Sequence, residues 1–197
     1  MNQGKLVLLL VGFVSLVAQL VTIRELLYLF SYSGPSVGVI IFSWLLLVAI
    51  GSRLGKLLNT AHMGFIITLL SIILPLLFVL AKTYIFPLFI AETHSLISML
   101  GVSISSLGFP CLFFGAIFIL AASRMKTIAH AYLYAGIGAL IGGIVYNFFL
   151  YPLPPLTSLL VVSGISISCA YAITNHKILP VLLLLTQILI LISSRNQ

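Results

Sequence analysis

Seven stretches of this chain, near residues 6–30, 36–57, 63–82, 98–122, 129–150, 157–174 and 178–194, each run for about twenty residues with almost no charge. A run of that length, wound as a helix, crosses a hydrocarbon layer roughly 30 Å thick. Lipid offers no partner for backbone N–H and C=O groups, so a segment buried in it closes its own hydrogen bonds as a helix. Composition leaves no other solvent for the chain: 62% of the 197 residues are hydrophobic and 6% are charged. An ordinary water-facing domain is about 25% charged. The sequence therefore predicts an all-α, polytopic transmembrane bundle of about seven spans over residues 1–197, with no room for a second, soluble domain.

The breaks between runs are turn or charge signals: Ser33-Gly34-Pro35-Ser36, Asn59-Thr60-Ala61-His62, Ala91-Glu92-Thr93-His94, Arg124-Met125-Lys126, Pro152-Leu153-Pro154-Pro155 and Asn175-His176-Lys177. Lys5 followed by the apolar run Leu6–Leu20 resembles a secretory leader, yet no small-residue cleavage site follows, which predicts a retained membrane helix. The net charge of +7 comes with only two acids, Glu25 and Glu92. Its cations are scattered between spans and do not form the patch that nucleic acid requires. With the N-terminus in the cytoplasm, inside loops carry Lys5, Arg53, Lys56, Arg124, Lys126 and Lys177, against Lys82 and Arg195 outside. That asymmetry predicts a cell (inner) membrane protein with a cytoplasmic N-terminus and an outer C-terminus. The parity rests on residues 83–97, whose Tyr84–Ile90 stretch also reads as an interfacial or re-entrant piece.

Within the fifth run, Gly136-Ile137-Gly138-Ala139-Leu140-Ile141-Gly142-Gly143 has the spacing of a dinucleotide loop without the preceding strand or exposed turn that such a loop needs. Ala135, Ala139 and Gly143 recur every four residues, as do Gly138 and Gly142, and so form a small-residue face for close helix packing. Gly51 and Gly55 form a shorter one. The fourth run, joined to the fifth by a short turn, is the expected neighbour of that face. Pro75 and Pro110 fall inside runs and predict kinks. Arg24 and Glu25 are the candidate polar contact, either within the first span or at its outer edge. Adjacent residues point about 100° apart on a helix, so the two are poor partners for one another and are candidates for pairing across an interface. His62, His94, His130 and His176 all lie at run ends, and Cys111 and Cys169 sit in apolar surroundings without ligand spacing. We expect no catalytic residues, no metal site and no cofactor.

Ser15-Leu16-Val17-Ala18-Gln19-Leu20-Val21-Thr22-Ile23-Arg24-Glu25-Leu26-Leu27, followed by Trp44 through Gly55, resembles the start of the membrane domain of spermidine synthase-like membrane proteins. Leu107-Gly108-Phe109-Pro110 with Gly115-Ala116-Ile117-Phe118 and Arg124 looks like that domain's proline-containing helix. Ala131-Tyr132-Leu133 through Gly143, ending in Leu150-Tyr151-Pro152-Leu153, looks like its glycine-rich span. The resemblance implies half of a major-facilitator-like fold. The chain departs from the family at Ser33–Ser36 and at Ala135, where acidic residues are common, and these 197 residues contain no soluble transferase domain. We therefore expect no aminopropyltransferase activity from this polypeptide.

Three functions fit: a non-catalytic subunit or scaffold held in the bilayer with other membrane subunits or copies of itself; a transporter-like carrier of a small neutral, lipidic or amine solute; and a quinone- or haem-associated redox subunit. The predicted topology is checked with single cysteines at Asn59 and Pro155: a membrane-impermeant reagent applied from outside is expected to label the second and spare the first.

Overall fold

The computed structural model describes residues 3–57, 95–125 and 127–173. These form α1 (Gln3–Leu29), α2 (Gly34–Gly55), α3 (Leu96–Ala122), α4 (Ile128–Val145) and α5 (Pro155–Ile173), with a single wide π-turn, Tyr146–Leu150, continuing α4. The described residues are all-helical apart from their turns, and the helix ends fall within three residues of the boundaries read from hydropathy. The expected spans 63–82 and 178–194 lie outside the described residues, as does Pro75. Four helices, Gly4–Leu29, Gly34–Gly55, Leu96–Ala122 and Ile128–Leu150, are long and apolar enough to cross a membrane, while the apolar stretch Pro155–Ile167 of α5 is shorter.

Local chemistry sets the ends. The α1–α2 turn is made by Ser31 and Tyr32 in left-handed conformation, with φ of 51° and 54°. The Tyr32 N–H closes back on the Leu27 carbonyl at 2.9 Å. Pro35 sits in the first turn of α2, where its missing N–H is no loss. Ser95 caps α3 by accepting from the Ser98 N–H at 3.2 Å, and Thr127 caps α4 by accepting from the His130 N–H. In the π-turn the Tyr151 N–H reaches five residues back to Tyr146 at 2.7 Å, and Pro152, Pro154 and Pro155 then stop the helix. Pro110 is accommodated inside a continuous α3.

Two close pairs build the bundle. Gly12 of α1 lies against the backbone of Ala135, so that a Cβ there would stand 2.0 Å from the Ala135 carbonyl oxygen. One built on Gly138 would stand 1.9 Å from the Leu9 oxygen, and one on Gly142 would stand 2.9 Å from the Phe13 oxygen. In the second pair a Cβ built on Gly51 would stand 2.2 Å from the Leu112 oxygen, one on Gly55 2.7 Å from the Ala116 backbone, and one on Gly115 of α3 2.3 Å from the Val48 oxygen. The partners advance together along both helices, 9 with 138 and 13 with 142, then 51 with 112 and 55 with 116. Both pairs are therefore parallel.

The fifth-span face thus packs on α1, which corrects the expectation that its neighbour is the adjacent helix α3. A short turn makes neighbours in sequence, but contact at carbonyl distance needs a complementary small residue, and Gly12 on α1 supplies it. α1 and α3 each contribute to both cores. Val7 through Val21 pack with Phe114, Ile117, Ala131, Tyr146, Leu159 and Val162. Farther along, Leu26, Leu29 and Phe30 pack with Ile40, Leu47, Met99 and Val102.

Gly136 and Gly138 separate packing from helix propensity. Space around Gly136 is open, so Gly136→Ala is expected to leave stability unchanged or raise it by up to about 1 kcal/mol. Gly138→Ala, and still more Gly142→Leu, is expected to lose roughly 2 kcal/mol or more by forcing α1 and α4 apart. Thermal unfolding of the detergent-solubilised variants reads the difference.

Candidate functional site

Arg24 is a half-buried cation on α1. It lies nineteen residues after Lys5 on α1, a rise of about 28 Å, close to the thickness of the hydrocarbon core. That spacing puts Arg24 at one end of the apolar span, opposite Lys5. Exposed Tyr28, Tyr32 and Tyr151 surround that level, as amphipathic rings do where hydrocarbon meets headgroups. Lys5, Arg53, Lys56 and Arg124 stand at the opposite end of the same helices.

The guanidinium reaches across to the turn that follows α4. One amino group donates to the Tyr151 carbonyl at 2.9 Å, and the other donates to the Leu153 carbonyl at 3.4 Å. Its carbon lies 5.7 Å from the centre of the Tyr151 ring, which meets Tyr146 edge-on at 6.3 Å. Carbonyls at a helix C-terminus have no partner in the next turn and carry the negative end of the helix dipole. A planar cation with forked donors satisfies two of them at once. The π-turn and the prolines after it leave those carbonyls facing α1.

Arg24 therefore finds two acceptors inside the chain, an internal clamp between α1 and the exit of α4. Glu25, the next residue, is half-buried. The other sequence candidates lie elsewhere. Gly51 and Gly55 are in the α2–α3 contact, and Ala135, Gly138 and Gly142 are in the α1–α4 contact. Gly143 touches the Leu16 side chain at its flank, and Ala139 is half-buried. His130 is exposed and bonded to Thr127 at the start of α4. Cys111 is a buried free thiol. Among the described residues no three His, Cys, Asp or Glu side chains gather as a metal site would require.

Other hydroxyls in the helices mostly return to their own backbone. Thr22 donates to Ala18 at 2.8 Å, Ser43 to Val39 at 2.8 Å, Ser163 to Leu160 at 2.9 Å and Ser166 to Val162 at 3.0 Å. Ser158 reaches the Leu150 carbonyl at 3.0 Å and ties α5 to the π-turn. Sequence reasoning missed Gly12 and Gly115, each a lone glycine opposite a recognisable small-residue face. It also missed the acceptors of Arg24, for which the one signal was the proline-rich exit Pro152–Pro155.

The clamp needs the fork as well as the charge. Arg24→Lys is expected to lower stability by about 1–2 kcal/mol, whereas Arg53→Gln, at an exposed position, is expected to stay within about 0.5 kcal/mol. Unfolding midpoints of the two variants in one detergent check this.

Comparison with known families, with curated proteins and with solved structures found no match to this chain.

Proposed function

We propose that the protein is a non-catalytic integral membrane subunit, built as half of a major-facilitator-like bundle and resembling the membrane part of spermidine synthase-like proteins. The observation that carries this reading is the pair of parallel, glycine-stitched contacts. α2 ends at the basic end of the bundle and α3 starts at the opposite end, and the sequence places one apolar run, 63–82, between them. Numbered by the seven runs of the sequence, the described helices are spans one, two, four, five and six.

Spans one and five then form one close pair, and spans two and four form the other. Exchanging one with four and two with five turns the first pair into the second and inverts every direction. That is the relation expected of two three-helix repeats of inverted topology. The basic end, with Lys5, Arg53, Lys56 and Arg124, is the cytoplasmic one in this reading.

Support for a subunit over a self-sufficient carrier comes from the polar side chains. Arg24 is bonded to backbone carbonyls, and Thr22, Ser43, Ser163 and Ser166 are bonded to their own helices. Large apolar side chains face outward along α2 and α4, among them Phe42, Leu45, Leu140 and Phe148. Lipid or another membrane chain covers them. The inverted pairing favours a second reading, a carrier completed by a second half from another chain.

Native mass spectrometry after mild detergent extraction, alongside solute flux in liposomes, separates the two. A subunit is expected to leave the membrane with fixed partner chains and to show no flux alone. An isolated chain that moves a solute by itself would sink the subunit reading.

A further inference from the structure

Serines in these helices follow a simple rule, and two of them break it. A hydroxyl on a membrane helix normally returns to the carbonyl three or four residues earlier, since lipid supplies no other acceptor. Ser43 and Ser166 do so, and on α3 itself Ser105 donates to Gly101 at 2.8 Å and to Val102 at 3.0 Å. Ser103 and Ser106 do not. Both hydroxyls are buried and have no hydrogen-bond partner among the described residues, and Ser103 is 0% exposed.

The two serines are three positions apart and so share one face of α3, on a stripe that begins at Met99 and continues to Pro110. Pro110 has no N–H, so the Ser106 carbonyl lacks the bond it would receive from four residues ahead. Two hydroxyls are thus left unpartnered three residues apart inside the span, and the Ser106 carbonyl beside them lacks its usual helical donor. The α2–α3 core here includes Ile40, Leu47, Val102, Leu107 and Cys111, and the buried face of α2 also carries Ser43, whose hydroxyl is spent on Val39. A buried hydroxyl left without a partner carries a real desolvation penalty, and nature seldom leaves two side by side.

We propose that this face of α3 is a water-binding site inside the membrane span, where the two hydroxyls hold a small hydroxylic ligand, water itself. Side chains three apart on a helix have Cβ atoms about 5–6 Å apart. One oxygen placed between them stands at hydrogen-bond distance, about 2.8 Å, from each. Buried waters in proteins typically make about three such bonds to groups otherwise unsatisfied. Two hydroxyls fall well short of the roughly six oxygens that a hard cation takes, so the set suits water.

Two measurements on the full chain in liposomes test it. Magnetisation transfer from water in solid-state NMR is expected to reach Ser103 and Ser106 in the wild-type protein and to bypass Ser43 and Ser166. Ser103→Ala, which deletes one partner of a satisfied water, is expected to lower the unfolding midpoint by several degrees, while Ser105→Ala leaves it nearly unmoved. Were the hydroxyls bare, removing one would relieve the penalty and raise the midpoint. The absence of water transfer at both serines, or a midpoint that rises or stays put in Ser103→Ala, overturns the proposal. The wild-type measurement decides the matter if the variant fails to fold.

Discussion

The bundle depends on contact between bare backbones. Two helices in lipid gain little by hiding apolar surface from each other, since the lipid tails are as apolar as leucine. What remains is dispersion, which falls off within a fraction of an ångström. Gly12, Gly138 and Gly142 let α1 and α4 approach to carbonyl distance, and Gly51, Gly55 and Gly115 do the same for α2 and α3. Each methyl group added there would lie inside a neighbour's carbonyl. The leucines, isoleucines and phenylalanines that dominate the composition fill space around these seams and do not choose the pairing.

Once the seams are set, the polar details follow. Holding α1 parallel to α4 brings Arg24 level with the π-turn, where carbonyls of Tyr151 and Leu153 face it. The same register lays Lys5 over the Tyr134 ring at 5.4 Å near the other end. One helix pair is thus fastened by a cation on an aromatic ring at each end and by glycine contact in the middle. Shape selects the partner, and the charges mark where the span begins and ends.

Much of this was legible in the sequence, and for one reason: in lipid a long apolar run has the helix as its only economical form. Hydropathy therefore places the ends of α1 to α5 within a turn. The glycine faces at 51, 55, 138 and 142 were equally legible as places of close approach. Their partners were not, because complementarity between two faces is a property of pairs and a single sequence lists residues one at a time. Gly136 and Gly138 look alike in the sequence, yet they point in nearly opposite directions on the helix, and one of them touches α1. Nor could the sequence tell that Arg24 would meet a carbonyl 127 residues away. That contact requires the π-turn, whose formation depends on what packs around Tyr146.

The parallel α1–α4 seam also has a temporal side. Gly12 leaves the ribosome 123 residues before Ala135, the residue it lies against, which at ordinary synthesis rates of 5–20 residues per second is a wait of roughly 6–25 s. For that interval the narrow face of α1 stands uncovered in the bilayer while α2 and α3 are still being made. The seam closes only by lateral return of a helix inserted much later, so assembly of this bundle is a search in the plane of the membrane.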